Sequence, residues 1–246
     1  MTMQQRKNPQ VPSAAASSTG DAPTGWFGRP STARILPFAI YMAFVAVADL
    51  LQRFGWSADD LRWLYAVKIG AVLAALWAYR RSYSELGWRT MGGNVIVQSF
   101  VVGIVVLVLW VNLDAAWMLA GESAGFNPTD ATGRIDWTLV AVRIAGAALV
   151  VPVMEELFWR SFLLRWLHDR QFLKVYPNQV GFVALAISSV LFGVEHNQWF
   201  AGVVAGLGYG LLYMRTGNLW APILAHAVTN GLLGAWIVGT GAWTYW

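Results

Sequence analysis

Two adjacent carboxylates, Glu155 and Glu156, and one arginine, Arg160, interrupt the otherwise apolar and aromatic stretch VPVMEELFWRSFLL. On a helix Glu156 and Arg160 lie one turn apart on a shared face, so the arginine can neutralise that carboxylate locally. Glu155 points about 100° away and keeps its charge for other work. Two of the chain's three histidines also lie in apolar segments, His196 in SVLFGVEHNQWF and His226 in LAHAVTNGLL. Phe192 precedes His196 by four residues and Asn230 follows His226 by four, each on the same helical face as its histidine. A carboxylate with imidazoles is the combination needed to deprotonate a water, or to hold a divalent metal that does so. His168, in the basic stretch RWLHDR at a segment end, is given no role.

The elements that would carry these groups are membrane helices. Of 246 residues, 57% are hydrophobic and only 12% charged, against roughly a quarter charged in soluble domains. Long apolar runs with few charges are transmembrane candidates, because lipid admits only segments that satisfy their own backbone hydrogen bonds. Seven such segments are expected, at about 34–54, 61–80, 94–113, 137–167, 179–196, 199–214 and 219–240. The fold class is therefore all-α, a polytopic helical bundle of seven spans, or eight if a short helix forms within 114–135. That region, with Asp114, Glu122 and Asp130, reads as an extracytoplasmic loop. Residues 1–30 are rich in Ser, Ala, Pro and Gly and read as a disordered cytoplasmic tail, and 31–246 as a single membrane domain.

Charge supports an N-terminus inside. Lys and Arg cluster on the side that receives Arg29, Arg34, Arg80, Arg81, Arg89, Arg165, Arg170, Lys174 and Arg215, whereas the opposite side receives Arg53, Arg62 and Arg134. That is the positive-inside pattern, and tryptophans such as Trp56, Trp88, Trp137 and Trp243 fall near segment ends as interfacial belts require. The basic residues sit in short clusters between apolar runs, so the net charge of +4 signals topology and nucleic acid is not an expected partner. The chain has no cysteine, which excludes disulfides, thiolate zinc sites and cysteine nucleophiles. A charge at the bilayer centre costs at least ~2.5 kcal/mol. Arg143 is near enough to a segment end to snorkel. Asp49 and Lys68 can pair or each reach an interface.

EELFWR, FGVEH and HAVTN match, in that order, the patterns EExxxR, FxxxH and HxxxN. Together they resemble the CPBP family of intramembrane proteases, which includes the type II CAAX prenyl endopeptidases and bacterial relatives linked to bacteriocin maturation and self-immunity. VPVMEELFWRSFL is most similar to the bacterial CAAX protease-related branch associated with exosortase and PEP-CTERM sorting. The resemblance implies an intramembrane endopeptidase of a multi-pass protein, in a bacterial inner membrane. Glu155 would activate water, with His196 helping to orient it. His226 and Asn230 would face the scissile carbonyl and stabilise its oxyanion; Glu156 and Arg160 would form the supporting pair, and Phe192 would pack beside the site. The implied substrate is a protein or peptide tail, lipid-anchored or sorted.

Metal dependence stays open. Glu155, His196 and His226 could supply three zinc ligands with an open fourth position, yet there is no HExxH, and a metal-free glutamate mechanism fits as well. Two further readings stand beside the protease: a small transporter, since intramembrane charges also mark ion pathways, and a catalytically silent scaffold or immunity protein. One tension accompanies the leading reading. If the fifth segment enters near residue 179, His196 lies about 25 Å further on, near the far face from Glu155 and His226. Convergence then requires tilted, broken or differently bounded segments, or a water-filled cavity.

Overall fold

A computed structural model describes residues 25–57, 59–87, 91–121, 123, 125–130 and 132–246. The tail expected over 1–30 lies outside the described residues as far as 24, as do Trp88, Arg89 and Glu122. At the end of that range Trp26–Gly28 form a 3-10 turn, and the Thr32 hydroxyl donates to the Trp26 carbonyl at 2.7 Å.

Among the described residues seven helices follow: α1 Pro30–Arg53, α2 Leu64–Ala78, α3 Gly93–Trp110, α4 Trp137–His168, α5 Phe182–Val194, α6 Trp199–Thr216 and α7 Trp220–Thr240. By length and composition α1, α3, α4 and α7 can cross a membrane, while α2 and α5 are shorter apolar helices. The protein is all-α; among the described residues the one β-type contact is the isolated bridge Thr129–Ile135. No eighth helix forms among the described residues of 114–135, which hold only the 3-10 turn Ala116–Met118. Apolar side chains such as Val97, Val101 and Val105 on α3 and Phe182, Val183 and Val190 on α5 are exposed. For a bundle in lipid, that is the expected outer face.

The central element is α4. Asp136 caps it, its side chain accepting from the Thr138 and Leu139 amides at 3.0 and 3.2 Å, which satisfies two of the first-turn donors. The helix then widens into π turns at Gly146–Val150 and Leu157–Leu164, on either side of an α segment, Val151–Glu156. Nearly every residue from Val150 to Leu164 is buried, so this stretch of α4 presents its circumference to protein, whereas Trp137 and Leu149 nearer its start are exposed.

Prolines inside helices leave carbonyls that side chains then fill. Pro37 has no amide hydrogen to offer the carbonyl of Ala33 one turn earlier; the Tyr83 hydroxyl donates to it at 2.8 Å. This bond ties α1 to the loop after α2, where Arg34 is completely buried and pairs with Glu85 at 2.5 Å. Ser161 also hydrogen-bonds Glu85, and Arg165 lies 3.6 Å away. Burial alone would push the Glu85 carboxyl up, but the Arg34 guanidinium and the Ser161 hydroxyl hold it below the ordinary carboxylate value. Of the two alternatives for Asp49 and Lys68, the pairing does not form. Asp49 pairs with Arg53 at 2.9 Å. Lys68 lies over the Tyr41 ring at 3.9 Å and is thus not Asp49's partner.

α5 and α6 pack closely enough to need glycine. A Cβ on Gly193 would come within 2.5 Å of the Trp199 carbonyl oxygen, one on Gly202 within 2.8 Å of the Gly193 Cα, and one on Gly206 within 2.9 Å of the Ser189 Cα. Small residues let membrane helices approach in this way. Gly193→Val is expected to lower the thermal stability of the detergent-solubilised protein by about 1–3 kcal/mol. Gly208→Ala, whose added carbon meets Val106 at an ordinary 3.5 Å, should leave the melting curve unchanged. An acid titration tests the Glu85 pair. Its carboxyl is depressed in the fold, so its stabilisation is present above the ordinary carboxylate range and disappears as pH falls through the lower folded value. Glu85→Gln should therefore melt below wild type at pH 7, with the gap closing at acid pH.

Candidate active site

Three helices bring their polar groups together at the middle of α4. Glu156, fully buried, lies 3.1 Å from the Arg160 guanidinium through its Oε1. The same oxygen is 3.0 Å from His226 Nδ1 on α7. A carboxylate facing Nδ1 requires the ring to carry its hydrogen there, which directs Nε2 the other way. Nε2 lies 3.9 Å from Glu155 Oε2. Glu156 Oε1 is thus held by a cation and an imidazole, whereas each glutamate keeps one buried oxygen, Glu155 Oε2 and Glu156 Oε2, without a hydrogen-bond partner.

The third contribution comes from the turn after α5. That helix spans only Phe182–Val194, about 20 Å at 1.5 Å per residue, and the chain reverses over residues 195–198 into α6. His196 therefore sits on a turn folded into the bundle. There a donor atom of His196 comes within 4.8 Å of one from Glu155. His196 Nδ1 is 2.7 Å from the Phe192 carbonyl; since a carbonyl only accepts, Nδ1 carries the hydrogen and Nε2 is left with its lone pair. The turn is pinned by the loop after α3: Gln198 Nε2 donates to the Trp110 carbonyl at 3.1 Å and the Ala120 amide to the Asn197 carbonyl at 2.7 Å.

Phe192 fills the space between the groups, its ring 4.5 Å from the Arg160 guanidinium carbon, 4.8 Å from the His196 ring and 6.1 Å from the His226 ring. Asn230 lies one turn beyond His226, and its Nδ2 donates to the Ala147 carbonyl at 2.9 Å. That carbonyl is available because of the π turn. The Val151 amide bonds Gly146, and the next residue, Pro152, has no N–H to give. Asn230 thus closes a gap in α4 with one amide hydrogen and retains a second.

Sequence reading missed Glu195, which stands in FGVEH beside His196. It ends α5 with Oε1 accepting from Trp159 Nε1 at 3.1 Å, and its buried Oε2 has no partner. Treating its position as an unspecified x of FxxxH hid it, although a third carboxylate next to an intramembrane histidine was itself a signal. Tyr209 was missed too. It stacks on His226 at 4.9 Å and donates its hydroxyl to Thr229 at 2.7 Å, and nothing in an apolar helix rich in small residues marks that role.

One donor atom each from Glu155, Glu195 and His196 lies within 4.8 Å of the others. This set differs from Glu155, His196 and His226 by one member, with Glu195 standing where His226 was expected. Two carboxylates with unpaired buried oxygens and one imidazole fit a divalent ion such as zinc or manganese. The cluster lines a cavity of about 720 Å³ that also takes in Asn230, Asp114, Arg143 and Trp246. The arrangement offers a base without competing partners, imidazoles with fixed tautomers, an amide N–H and room for water and a peptide.

Residues 137–232 match the family described as type II CAAX prenyl endopeptidase Rce1-like, and every motif residue from Glu155 to Asn230 falls within that stretch. The chain is 31% identical over 94 residues to a Bacillus subtilis (strain 168) protein named "Putative membrane peptidase YdiL", a match covering 37% of this chain and 35% of that one. It thus spans about a third of that relative's length. No solved structure matches the chain.

Breaking the Glu156 pair from one side should be costly. Arg160→Ala leaves a buried carboxylate with one partner fewer, and is expected to destabilise the protein by about 3–5 kcal/mol. Adding Glu156→Gln should recover part of that loss, since a neutral amide needs no counter-ion. A double-mutant cycle on detergent melting curves reads the coupling; additive losses would show the pair to be incidental.

Proposed function

We propose that this chain, whose residues 137–232 match the family described as type II CAAX prenyl endopeptidase Rce1-like, hydrolyses a peptide bond inside the bilayer. The observation that carries the reading is Glu155: a buried carboxylate whose Oε2 has no hydrogen-bond partner, 3.9 Å from His226 Nε2, on the wall of a cavity large enough for a peptide.

Glu155 takes a proton from water as the oxygen attacks the scissile carbonyl. His196, its Nδ1 tied to the Phe192 carbonyl, orients that water through Nε2. Negative charge builds on the carbonyl oxygen, toward the remaining Asn230 amide hydrogen and toward His226 Nε2 when that ring is protonated on both nitrogens. The proton held by Glu155 then passes to the leaving nitrogen as the C–N bond breaks, giving a carboxylic acid and an amine. Glu156 and Arg160 do not touch the substrate; they hold His226 in one tautomer and one orientation. If a divalent ion is resident, Glu155, Glu195 and His196 would hold it, and it would supply Lewis acidity at the same cavity.

The substrate in this reading is a membrane-proximal protein tail, lipid-anchored or sorted, processed in a bacterial inner membrane by an enzyme with its N-terminus in the cytoplasm. A place in exosortase-linked sorting rests only on the similarity of VPVMEELFWRSFL to that branch.

Glu155→Gln should lower peptide cleavage by about 10²–10⁴-fold while circular dichroism and detergent melting stay near wild type. His196→Ala and His226→Ala should also abolish turnover. Undiminished cleavage by Glu155→Gln would end the proposal. Parallel assays with a chelator, together with metal analysis of the purified protein, separate the two chemistries: chelator-sensitive cleavage with one bound ion per chain identifies the metal route, and chelator-resistant cleavage the glutamate route.

A further inference from the structure

The metal-free steps leave Glu195 without a part, although it belongs to the same cluster as Glu155 and His196. It stands at the end of α5, and its two oxygens have different surroundings. Oε1 accepts from Trp159 Nε1 at 3.1 Å and lies 3.9 Å from His196 Nδ1. Oε2 is buried with no hydrogen-bond partner. Trp159, four residues beyond Glu155 on α4, is itself buried, with its ring edge-on to Phe192 at 5.7 Å. Its indole N–H therefore fixes the carboxylate from one side and leaves the other oxygen to the cavity that Glu195 lines. Among the described residues no Lys or Arg lies within ion-pair distance of Glu195. A buried carboxylate oxygen without a donor is costly, and a donor carried in by the substrate offsets that cost.

The peptide being cut has such a donor at the reacting centre. A segment opened out for hydrolysis carries amide hydrogens without intrahelical partners, and in lipid each needs an acceptor. The hydrogen on the scissile nitrogen matters most. That nitrogen gains a proton as the C–N bond breaks, and its N–H groups then donate more strongly than in the ground state, so an acceptor placed there favours the transition state. One oxygen of Glu195 lies within 4.8 Å of one of Glu155. A nitrogen at ~2.9 Å from each of two oxygens can bridge a gap of up to ~5.8 Å, so one nitrogen can take the proton from Glu155 while donating to Glu195. The carbonyl oxygen is turned the other way, toward Asn230 and His226. We propose that Glu195 is a catalytic residue that accepts the scissile N–H and stabilises the departing amine. This deepens the endopeptidase reading and rests on it. In the step, the water oxygen bonds to the carbonyl carbon, one water hydrogen passes through Glu155 to the nitrogen, and the C–N electron pair stays on the nitrogen. Glu195 neither gains nor loses a proton.

Replacing the scissile N–H by an ester oxygen removes that hydrogen and keeps the carbonyl, which separates this contact from everything else Glu195 does. A quenched-fluorescent apolar peptide with one cut site, and the matching depsipeptide, are hydrolysed in parallel by detergent-solubilised wild type and Glu195→Gln. In the variant the glutamine carbonyl can still accept from Trp159, while its NH2 group presents a donor to the cavity where an acceptor is needed. The kcat/KM for the peptide should fall by about 10–100-fold, and that for the ester should stay near the wild-type value. Trp159→Phe keeps the acid but frees its orientation, and should shift the peptide-to-ester ratio in the same direction by less. It carries the test if Glu195→Gln gives no cooperative melting curve. A ratio unchanged from wild type, whether through no loss or through equal loss on both substrates, overturns the role of Glu195. So does metal analysis that finds an ion bound to wild type and released by Glu195→Gln, which would make Glu195 a ligand. Hydrolysis of neither substrate by the wild-type protein counts against the endopeptidase reading itself, whereas the ratio alone judges Glu195.

Discussion

Glu156 is the interaction on which the rest of the site depends. It is a carboxylate with no exposure to solvent, shared between Arg160 on its own helix and His226 on another. An unpaired charge in that position would cost several kcal/mol, so α4 and α7 are held to a relative rotation that keeps both partners in reach. Once that rotation is set, neighbouring geometry follows. Glu155, the next residue, must face away from Arg160 and toward the cavity. The His226 ring must show Nε2 to Glu155, and Asn230, one turn on, must meet the first π turn of α4. The charged pair thus serves specificity of arrangement more than stability, since buried ion pairs seldom add much stability in themselves.

Backbone irregularity is used in the same constructive way. A proline in a helix releases a carbonyl, and in lipid a released carbonyl must find a donor. At Pro37 the donor is Tyr83, and at Pro152, through the π register, it is Asn230. Both bonds are long-range, so each break in a helix becomes a tie between elements. The two π turns flank Glu155 and Glu156 directly, consistent with the tendency of π turns to occur at functional positions.

Much of the framework was legible in the sequence because bilayer physics is stringent. Segment positions followed from apolar runs and agree with the seven helices to within a few residues at most ends. The Glu156–Arg160 pair followed from helical spacing alone. Other features were not legible for identifiable reasons. Hydropathy locates an apolar run but not how neighbouring helices converge, so the approach of His196, two residues past the end of α5 at Val194, to Glu155 was hidden. Charge counting suggested Asp49 and Lys68 as partners, but Lys68 is met by tyrosine rings, and rings carry no formal charge to count. Glu195 was in plain view, yet a motif written with wildcards discards the identity of the residues between its fixed points.

The two ends of the cavity lie on one helix, and that sets a condition on how they work together. Arg143 stands before the first π turn of α4 and Glu155 after it. A π turn inserts one residue into the helical register, which rotates everything beyond it by about 100° relative to a regular helix. In an unbroken α-helix Arg143 and Glu155 would still be twelve residues apart, but not with the same angle between them. The inserted turn persists because Asn230 occupies the Ala147 carbonyl, to which Pro152 has no N–H to give in the π register and which the Val151 amide would otherwise take in an α register. Asn230 therefore acts on the cavity in two ways, by facing it and by stabilising the register that lets Arg143 and the acidic cluster address the same space.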